Sequence, residues 1–436
     1  MATQKRPAPF KPVDVIDVVC WGKKVGAVAL DPGLGFYVFE YYPEWLRTGI
    51  ELAPRYMPLR SGAGPFVFTD LSTDTYRRLP AMLADALPDQ FGNALVDRFM
   101  ADRGYPASAV TPLDRLAYMG NRGMGALEFR PARGLNTKKP TAIDLRELVG
   151  TARSAVRGEL IGEDETVQAL RNIIEVGTSA GGARAKAVIA LNPTTHEMLS
   201  GQLEAPPGFE HWLLKFDGMG EDIALGTSGD YGRIEYAYFL MAREADIDMT
   251  DCQLLEENGR AHFMTRRFDR YGGDGKHHVQ SLCAMSHLDF KMIGPNSYSQ
   301  LFLTMRALQL PFAQFEEAFR RMTFNVMARN CDDHTKNFAF ILRQGDPWAL
   351  APAYDVTFAH SPDSKWTRQH LMSVNGKTAD FTVDDLLAEA ERFQIGTAAE
   401  VIGRVRSALK NWRTFADQAG VPESRALDIE SKFVRL

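Results

Sequence analysis

The chain has 436 residues, 45% apolar and 24% charged, as expected of a globular protein with more material than one hydrophobic core uses. Fifty basic against 55 acidic side chains give a net charge of −5, which excludes a protein whose main work is to neutralise nucleic-acid phosphates by itself. The four cysteines, Cys20, Cys252, Cys283 and Cys331, never form C-x-x-C, so the pattern predicts neither a disulfide framework nor a thiolate zinc site and fits a reducing cytoplasm.

The opening "MATQKRPAPFKPVDVI" carries basic residues with no apolar stretch behind them, and no run of about eighteen apolar residues occurs, so no leader and no membrane span is expected. From Val13 to Tyr42, runs rich in Val, Phe and Tyr are separated by "WGKK" and "DPGLG", which predicts a small antiparallel meander. The stretch "YRRLPAMLADALPDQFGNALVDRFMADRG" reads as helical, broken at Pro88 and closed by Gly104. A strand in "GMGALEFRPARG" and a polar linker at 136–140 follow.

Beyond the linker the order predicted is a helix near 165–176, a Gly-rich turn at 177–182, strands in "AKAVIAL" and "HWLLKFD", a helix in "RIEYAYFLMAREADI", and a hairpin around Asn258-Gly259 leading into "AHFMTRRFDR". After about Tyr271 apolar residues recur three and four apart, with "FAFILR" and "WALAPAYDV" as exceptions. The expectation is an α+β, bilobal protein. It divides into an N-terminal subdomain of meander plus helices over 1–150, a β-rich lobe over 151–270 and an all-helical lobe over 271–436, with the site in the crevice.

The densest chemistry is "RNCDDHTKNFAF", residues 329–340. Asp332 and Asn337 are five positions apart, as are the catalytic Asp and metal-binding Asn of protein kinases, where the Asp faces a substrate hydroxyl and the Asn amide oxygen reaches a Mg²⁺ on the nucleotide. Asp355, in "LAPAYDV", follows an apolar strand and is placed to supply a second oxygen ligand, while His334 and Lys336 would line the phosphates. Lys215, in "HWLLKFDG", is a candidate phosphate lysine. Inward-facing among apolar neighbours, it needs a partner, and Glu235 on the next helix supplies one, as in the kinase Lys–Glu pair. "VGTSAGGARAK", residues 176–186, offers backbone N–H groups to an anion without matching a standard phosphate-loop pattern. A polar turn at a helix end would also explain the Asp332 cluster. So would a metal-dependent phosphohydrolase drawing on His277, His278 and His287 together with Asp332, Asp333 and His334.

"LADALPDQFGNALVDRF", "MGNRGMGALEF", "SAGGARAK", "HWLLKFD", "RRFDR", "NCDDHTKNFAF" and "LAPAYDV", in that order, resemble the HipA-type serine/threonine kinases, the toxins of bacterial HipBA toxin–antitoxin modules. The resemblance runs from about residue 14 to beyond 410 and implies a divergent protein-kinase-like fold using ATP and Mg²⁺, with the lobe over 151–270 as the nucleotide-binding one and that over 271–436 as the catalytic one. It implies Asp332 as catalytic base, Asn337 and Asp355 as metal ligands, and His334 and Lys336 at the phosphates, with Tyr354 beside the nucleotide. It further implies Lys215 on the α and β phosphates, Gly181, Gly182, Ala183, Arg184, Ala185 and Lys186 as phosphate loop, and Arg266, Arg267 and Phe268 as adenine hinge. Ser179 falls where such kinases autophosphorylate to eject that loop, and a phosphate there, carrying roughly −1.5 to −2 charge, would switch the enzyme off. The partners implied are a protein substrate, such as an aminoacyl-tRNA synthetase or another translation factor, and a small helix-turn-helix antitoxin through which DNA is reached indirectly. Two departures bear on substrate and toxicity: Arg266 stands where the toxin's hinge is acidic, and "VQSLCAM" replaces an acidic run after it. The alternative is a catalytically silent binding or corepressor module partnering a DNA-binding antitoxin, and the basic residues between Arg98 and Lys139 would suit a supporting role beside such a DNA-bound partner.

Overall fold

The structure, a computed structural model, describes residues 11–60, 64–101, 104–133, 185–201, 205–217, 230–257 and 259–436. The expected linker at 136–140, the helix at 165–176 and the Gly-rich turn with Ser179, Gly181, Gly182, Ala183 and Arg184 lie outside these residues.

The meander forms as predicted from alternation and turn chemistry. Strands β1 (Val15–Cys20), β2 (Lys23–Asp31) and β3 (Phe36–Tyr41) pair antiparallel, and β4 (Leu127–Arg130) joins the other edge of β1 to give the order β3-β2-β1-β4. The β1–β2 loop is two residues, Trp21 (φ 48°) and Gly22 (φ 73°), both left-handed, as a hairpin with the natural strand twist requires. Helices Gln90–Ala101 and Pro112–Met119 follow. The second opens on a capping box of Thr111 and Asp114, and Asp114 also accepts from the backbone N–H of Val13 at 2.9 Å, tying the helix to the lead-in of β1.

The next sheet is antiparallel throughout: β5 (Lys186–Leu191), β6 (Met198–Ser200), β7 (Glu210–Lys215), β8 (Cys252–Glu257) and β9 (Arg260–Arg266) run in the order β6-β5-β7-β9-β8. Helix Tyr231–Glu244 lies across it, burying Ile234, Tyr238 and Met241 in one cluster with Phe263 of β9. Gly232 lets the helix meet the sheet closely, since a Cβ there would collide with the Ala261 carbonyl. A short hairpin, β10 (Arg270–Tyr271) and β11 (Gly275–Lys276), leads away.

The C-terminal half is mainly helical, with Tyr298–Ala307, Phe312–Met327, Val383–Arg392, Ala398–Lys410, Trp412–Gln418 and Glu423–Lys432. It is not all-helical. Strands β12 (His278–Ser281), β13 (Ala339–Leu342) and β14 (Trp348–Leu350) make a three-stranded antiparallel sheet within it. Strand β13, "AFIL", is buried at all four positions and is followed closely by Gly345 (φ 94°), so chain reversal and burial on both faces select strand over helix. One apolar cluster runs from Val18 and Phe39 of the first sheet through Phe302, Phe319 and Phe340, so the N-terminal sheet shares a core with the C-terminal helices. Among the described residues, no helix is long and apolar enough to cross a membrane.

Candidate active site

Two lysines face each other in register: Lys186 opens β5, Lys215 closes β7, and each is the other's cross-strand partner. Like charges directly opposite on one sheet face repel, so the pair persists only if carboxylates intervene. Three do. Lys215 Nζ donates to Glu235 Oε1 at 2.5 Å and contacts Asp355 Oδ1, while Lys186 Nζ lies 3.6 Å from Asp89 Oδ2. Glu235, three residues after Gly232, reaches this point because its helix sits so close to the sheet. Lys215 also stands 5.6 Å over the ring of Phe263, its partner on β9.

Asp355 arrives by a different route. Helix Phe312–Met327 ends, Arg329 turns left-handed at φ 57°, and Asn330 bridges to Ala359. The chain then passes through Asp332 to Asn337, makes a turn closed by Asn337 N–H on the His334 carbonyl at 2.8 Å, and enters β13. The β13–β14 hairpin reverses it, and the Ala351 N–H on the Ala339 carbonyl continues the ladder, so residues just after β14 come back beside the loop before β13. Tyr354 clamps the two by donating its hydroxyl to the Lys336 carbonyl at 2.6 Å. Asp355 itself adopts φ 53°, a strained setting for a non-glycine residue that its ion pair holds in place.

Within the loop, the Asn337 side-chain N–H donates to the Asp332 carbonyl at 2.8 Å, which turns the amide oxygen outward from that bond. The Asp332 side chain is half exposed, with the His334 ring 3.9 Å away. His334 and Lys336 both rest on the Phe290 ring, the imidazole at 5.3 Å between ring centres and Lys336 Nζ at 4.9 Å from the ring centre. Asp333 points the opposite way, into the core. A narrow cavity lined by Asn325, Asn330, Asp333, Asn337, Tyr354 and Asp355 lies behind the loop.

The electrostatics favour charged groups here. Burial pushes the Asp355 carboxyl up, but Lys215 and Lys186 more than reverse this and hold it below the usual carboxylate range. Burial would neutralise Lys215, yet Asp355 and Glu235 raise it above an ordinary lysine. Lys186, desolvated and offset only in part by Asp89, is lowered. Asp89 is pushed up to about 6 by burial, against the pull of Lys186.

The HipA-like C-terminal domain family matches residues 178–434, and the HipA N-terminal domain family matches residues 16–130. The chain belongs to the HipA family. The structure is similar to a chain of the Shewanella oneidensis MR-1 toxin–antitoxin complex of HipA, HipB and operator DNA, with a TM-score of 0.64 over 95% of this chain and 94% of that one at 14% identity, a likeness of fold. The proinflammatory kinase CtkA of Helicobacter pylori aligns over 50% of this chain and 92% of its own at 12% identity, with a TM-score of 0.32. Among curated proteins, no sequence matches the chain.

In this HipA-family chain, Lys186, Lys215, Glu235 and Asp355 meet at one point, and Tyr354 joins Asp355 to the loop bearing Asp332, Lys336 and Asn337. Ala185 is buried and its carbonyl accepts from Phe216 N–H at 3.0 Å, an internal sheet contact. The residues expected as adenine hinge, Arg266, Arg267 and Phe268, differ in their contacts. Arg266 N–H is bonded to the Asp251 carbonyl at 2.8 Å and Arg267 N–H to the His211 carbonyl at 2.9 Å, so neither donor faces a base. Their side chains are engaged too, Arg266 with Glu210 and Asp251, and Arg267 with Asp269. Only Phe268 turns toward the site, 5.8 Å from Tyr354.

Sequence reasoning missed two carboxylates. Asp89 comes from the N-terminal half, capping helix Gln90–Ala101 through a 2.6 Å bond from Gly92 N–H, with its other oxygen at Lys186. The "LPD" turn before an apolar run was the available signal. Asp269 sits fully buried between Arg267 and Arg270, at 2.8 and 2.6 Å, and accepts from Gly125 N–H at 2.8 Å, stapling the β4 lead-in to the β9 exit. The three histidines of the phosphohydrolase alternative do not converge. His277 stacks on Tyr271, His278 packs against Trp348 and His287 stacks on Tyr56. Several residues of the basic stretch are tied down locally: Arg115 to Asp97 at 2.5 Å, Arg122 to the Tyr118 carbonyl and Arg133 to Asp114 at 3.5 Å.

Proposed function

We propose that this protein is an ATP- and Mg²⁺-dependent serine/threonine protein kinase, the toxin of a toxin–antitoxin pair. The observation that carries the reading is the meeting of the Lys215–Glu235 pair with Asp355, one short hairpin from the Asp332–Asn337 loop. Phosphoryl transfer needs a cation on the nucleotide, oxygen ligands for a hard metal and a base at the acceptor hydroxyl, and those are the groups gathered here.

In this reading Lys215, with Lys186 beside it, holds the phosphates, and Glu235 keeps Lys215 oriented. Asp332 accepts the hydroxyl proton of the protein substrate, and its half exposure suits a group that must meet an outside chain. Lys336 adds positive charge on the loop's outer side, with the His334 ring beside it on Phe290. The donor set fits Mg²⁺: Asp355 remains a carboxylate at neutral pH, and the Asn337 amide commits its nitrogen to Asp332 and so offers its oxygen. When bound, the ion would neutralise charge on the phosphate oxygens. Phe268 and Tyr354 form the side on which a base would stack.

Autophosphorylation at Ser179 as the off-switch, a phosphate loop over 181–186, and lobes at 1–150, 151–270 and 271–436 belong to the same proposal. So do a cytoplasmic location, a translation-factor target and a helix-turn-helix antitoxin, the last supported by the HipA–HipB–DNA complex whose fold this chain shares. Calorimetric titration with MgATP tests the nucleotide half of the reading: wild type binds, while Lys215→Met and Asp355→Asn each weaken binding at least tenfold. Equal affinity in all three would overturn it.

A further inference from the structure

Asp332 and Asp333 are neighbours with opposite fates. The Asp332 side chain is 48% exposed and that of Asp333 is 0% exposed. A buried carboxylate is costly unless its oxygens are satisfied, and those of Asp333 are satisfied three times over. Oδ1 accepts from Leu371 N–H at 2.8 Å, and Oδ2 accepts from the Tyr298 hydroxyl and the His370 Nδ1–H, each at 2.8 Å. Burial alone would strip the proton from His370, but Asp333 more than compensates and raises it to about 10, so the contact is an imidazolium–carboxylate pair in the core. With a cation and two neutral donors already on it, this carboxylate is not oriented to ligate a metal.

The Tyr298 hydroxyl has a second contact that matters more. It accepts from Asn325 Nδ2 at 3.0 Å, and Asn325 Oδ1 accepts from Asn330 Nδ2 at 2.9 Å. Asn330 stands two residues before Asp332, and Asp333 one residue after it. Both flanks of the expected base are therefore fastened through the single hydroxyl of Tyr298, and the arch between them is fixed further by Cys331 N–H on the Ala359 carbonyl at 3.1 Å. The far side is anchored as well. His370 N–H bonds the Thr378 carbonyl at 2.9 Å, and Ser373 bridges to Ser297, the residue that caps the helix carrying Tyr298.

We propose that Asp333 is a positioning residue, which with Tyr298 and His370 forms a buried clamp that holds Asp332 at the acceptor hydroxyl. The inference rests on the kinase reading of Asp332. It gives Asp333 a role that motif spacing does not, and it makes Tyr298, Asn325 and His370 part of the machinery although none of them faces the cleft. A base displaced by about 1 Å loses on the order of a hundredfold in rate, whereas nucleotide affinity depends on Lys186, Lys215 and Asp355, which sit on other elements. The clamp should therefore govern turnover and leave ATP binding alone.

The test compares steady-state phosphotransfer and MgATP binding in wild type, Asp333→Asn and Tyr298→Phe. Tyr298→Phe removes the shared hydroxyl without adding a charge and remains informative if Asp333→Asn fails to fold. Expected is a loss in kcat of roughly tenfold for Tyr298→Phe and roughly a hundredfold for Asp333→Asn, with the KM for ATP and the MgATP dissociation constant within about threefold of wild type. Wild-type kcat in both variants, even at a lowered melting temperature, would make the network purely structural and sink the proposal. Parallel losses of kcat and ATP affinity would also sink it, as general disruption. Wild type that binds MgATP but transfers no phosphate would remove the kinase reading itself, a result distinguishable from active wild type with active variants.

Discussion

Replacing Lys215 with methionine isolates the ion pair on which the site is built. Methionine keeps most of the aliphatic stem and its packing on Phe263 while removing the charge. Glu235, whose side chain is 2% exposed, then becomes a buried carboxylate without its cation, and Asp355, at 28%, loses its partner but can reach water. The penalty thus falls mainly on Glu235, and breaking a buried pair from one side costs about 3–5 kcal/mol. For a cooperative unit of about 250 residues, each kcal/mol moves the melting point by ~2 °C, so Lys215→Met should melt ~6–10 °C below wild type. Adding Glu235→Gln removes the stranded charge, and the double variant should regain about 2–3 kcal/mol, a coupling within the range of contacting residues. Urea unfolding of wild type, both single variants and the double closes the cycle. A loss below about 1 kcal/mol in Lys215→Met, or a coupling energy of zero, would refute the claim that Lys215 and Glu235 act as one buried unit.

Three further outcomes follow from the same geometry. Gly232→Ala drives a Cβ into the Ala261 carbonyl, so helix Tyr231–Glu244 must shift and carry Glu235 with it; thermal unfolding should show a loss of about 1–3 kcal/mol, and a gain would mean that the close approach is absent. Asp269→Ala leaves Arg267 and Arg270 buried without a carboxylate and should destabilise by about 3–5 kcal/mol, read by chemical denaturation, whereas a neutral result would show that the arginines find water. His370 is raised from 6.5 to about 10, so the stability its charge contributes is complete below pH 6.5 and is lost as pH rises through 10. The melting temperature of wild type should accordingly fall more steeply between pH 7 and 10 than that of His370→Gln, and parallel profiles would contradict a charged imidazole at Asp333.

Much of this site was legible because its chemistry is local. The Asp332–Asn337 spacing lies within one loop, Asp355 follows by one hairpin, and an inward lysine on "HWLLKFD" demands a carboxylate nearby. What escaped reading depends on chain separation. Asp269 accepts from a backbone N–H 144 residues away, and Asp333 is held by Tyr298 and His370, 35 and 37 residues distant on either side. No periodicity encodes such pairings. Asp89 is a similar case, since nothing in "LPDQFG" says that the turn will be buried against β5. Of the strands in the C-terminal half, β13 and β14 fall in the two stretches excepted from the helical spacing, whereas β12, "HVQS", escapes because four residues carry too few positions to separate a period of two from one of 3.6. "RRFDR" likewise shows its charges in sequence, but only the fold shows that Asp269 collects two arginines and that the N–H groups of Arg266 and Arg267 bond the Asp251 and His211 carbonyls.

The central claim is that Asp332 accepts a hydroxyl proton during transfer of the ATP γ-phosphate to a protein. Incubation of wild type and Asp332→Asn with γ-labelled ATP and Mg²⁺, alone and with a cell lysate, measures it directly. The account predicts labelled protein with wild type and a loss of at least a hundredfold with Asp332→Asn, while both bind MgATP equally. Label transferred equally by the two proteins, or by neither although both bind MgATP, would contradict it.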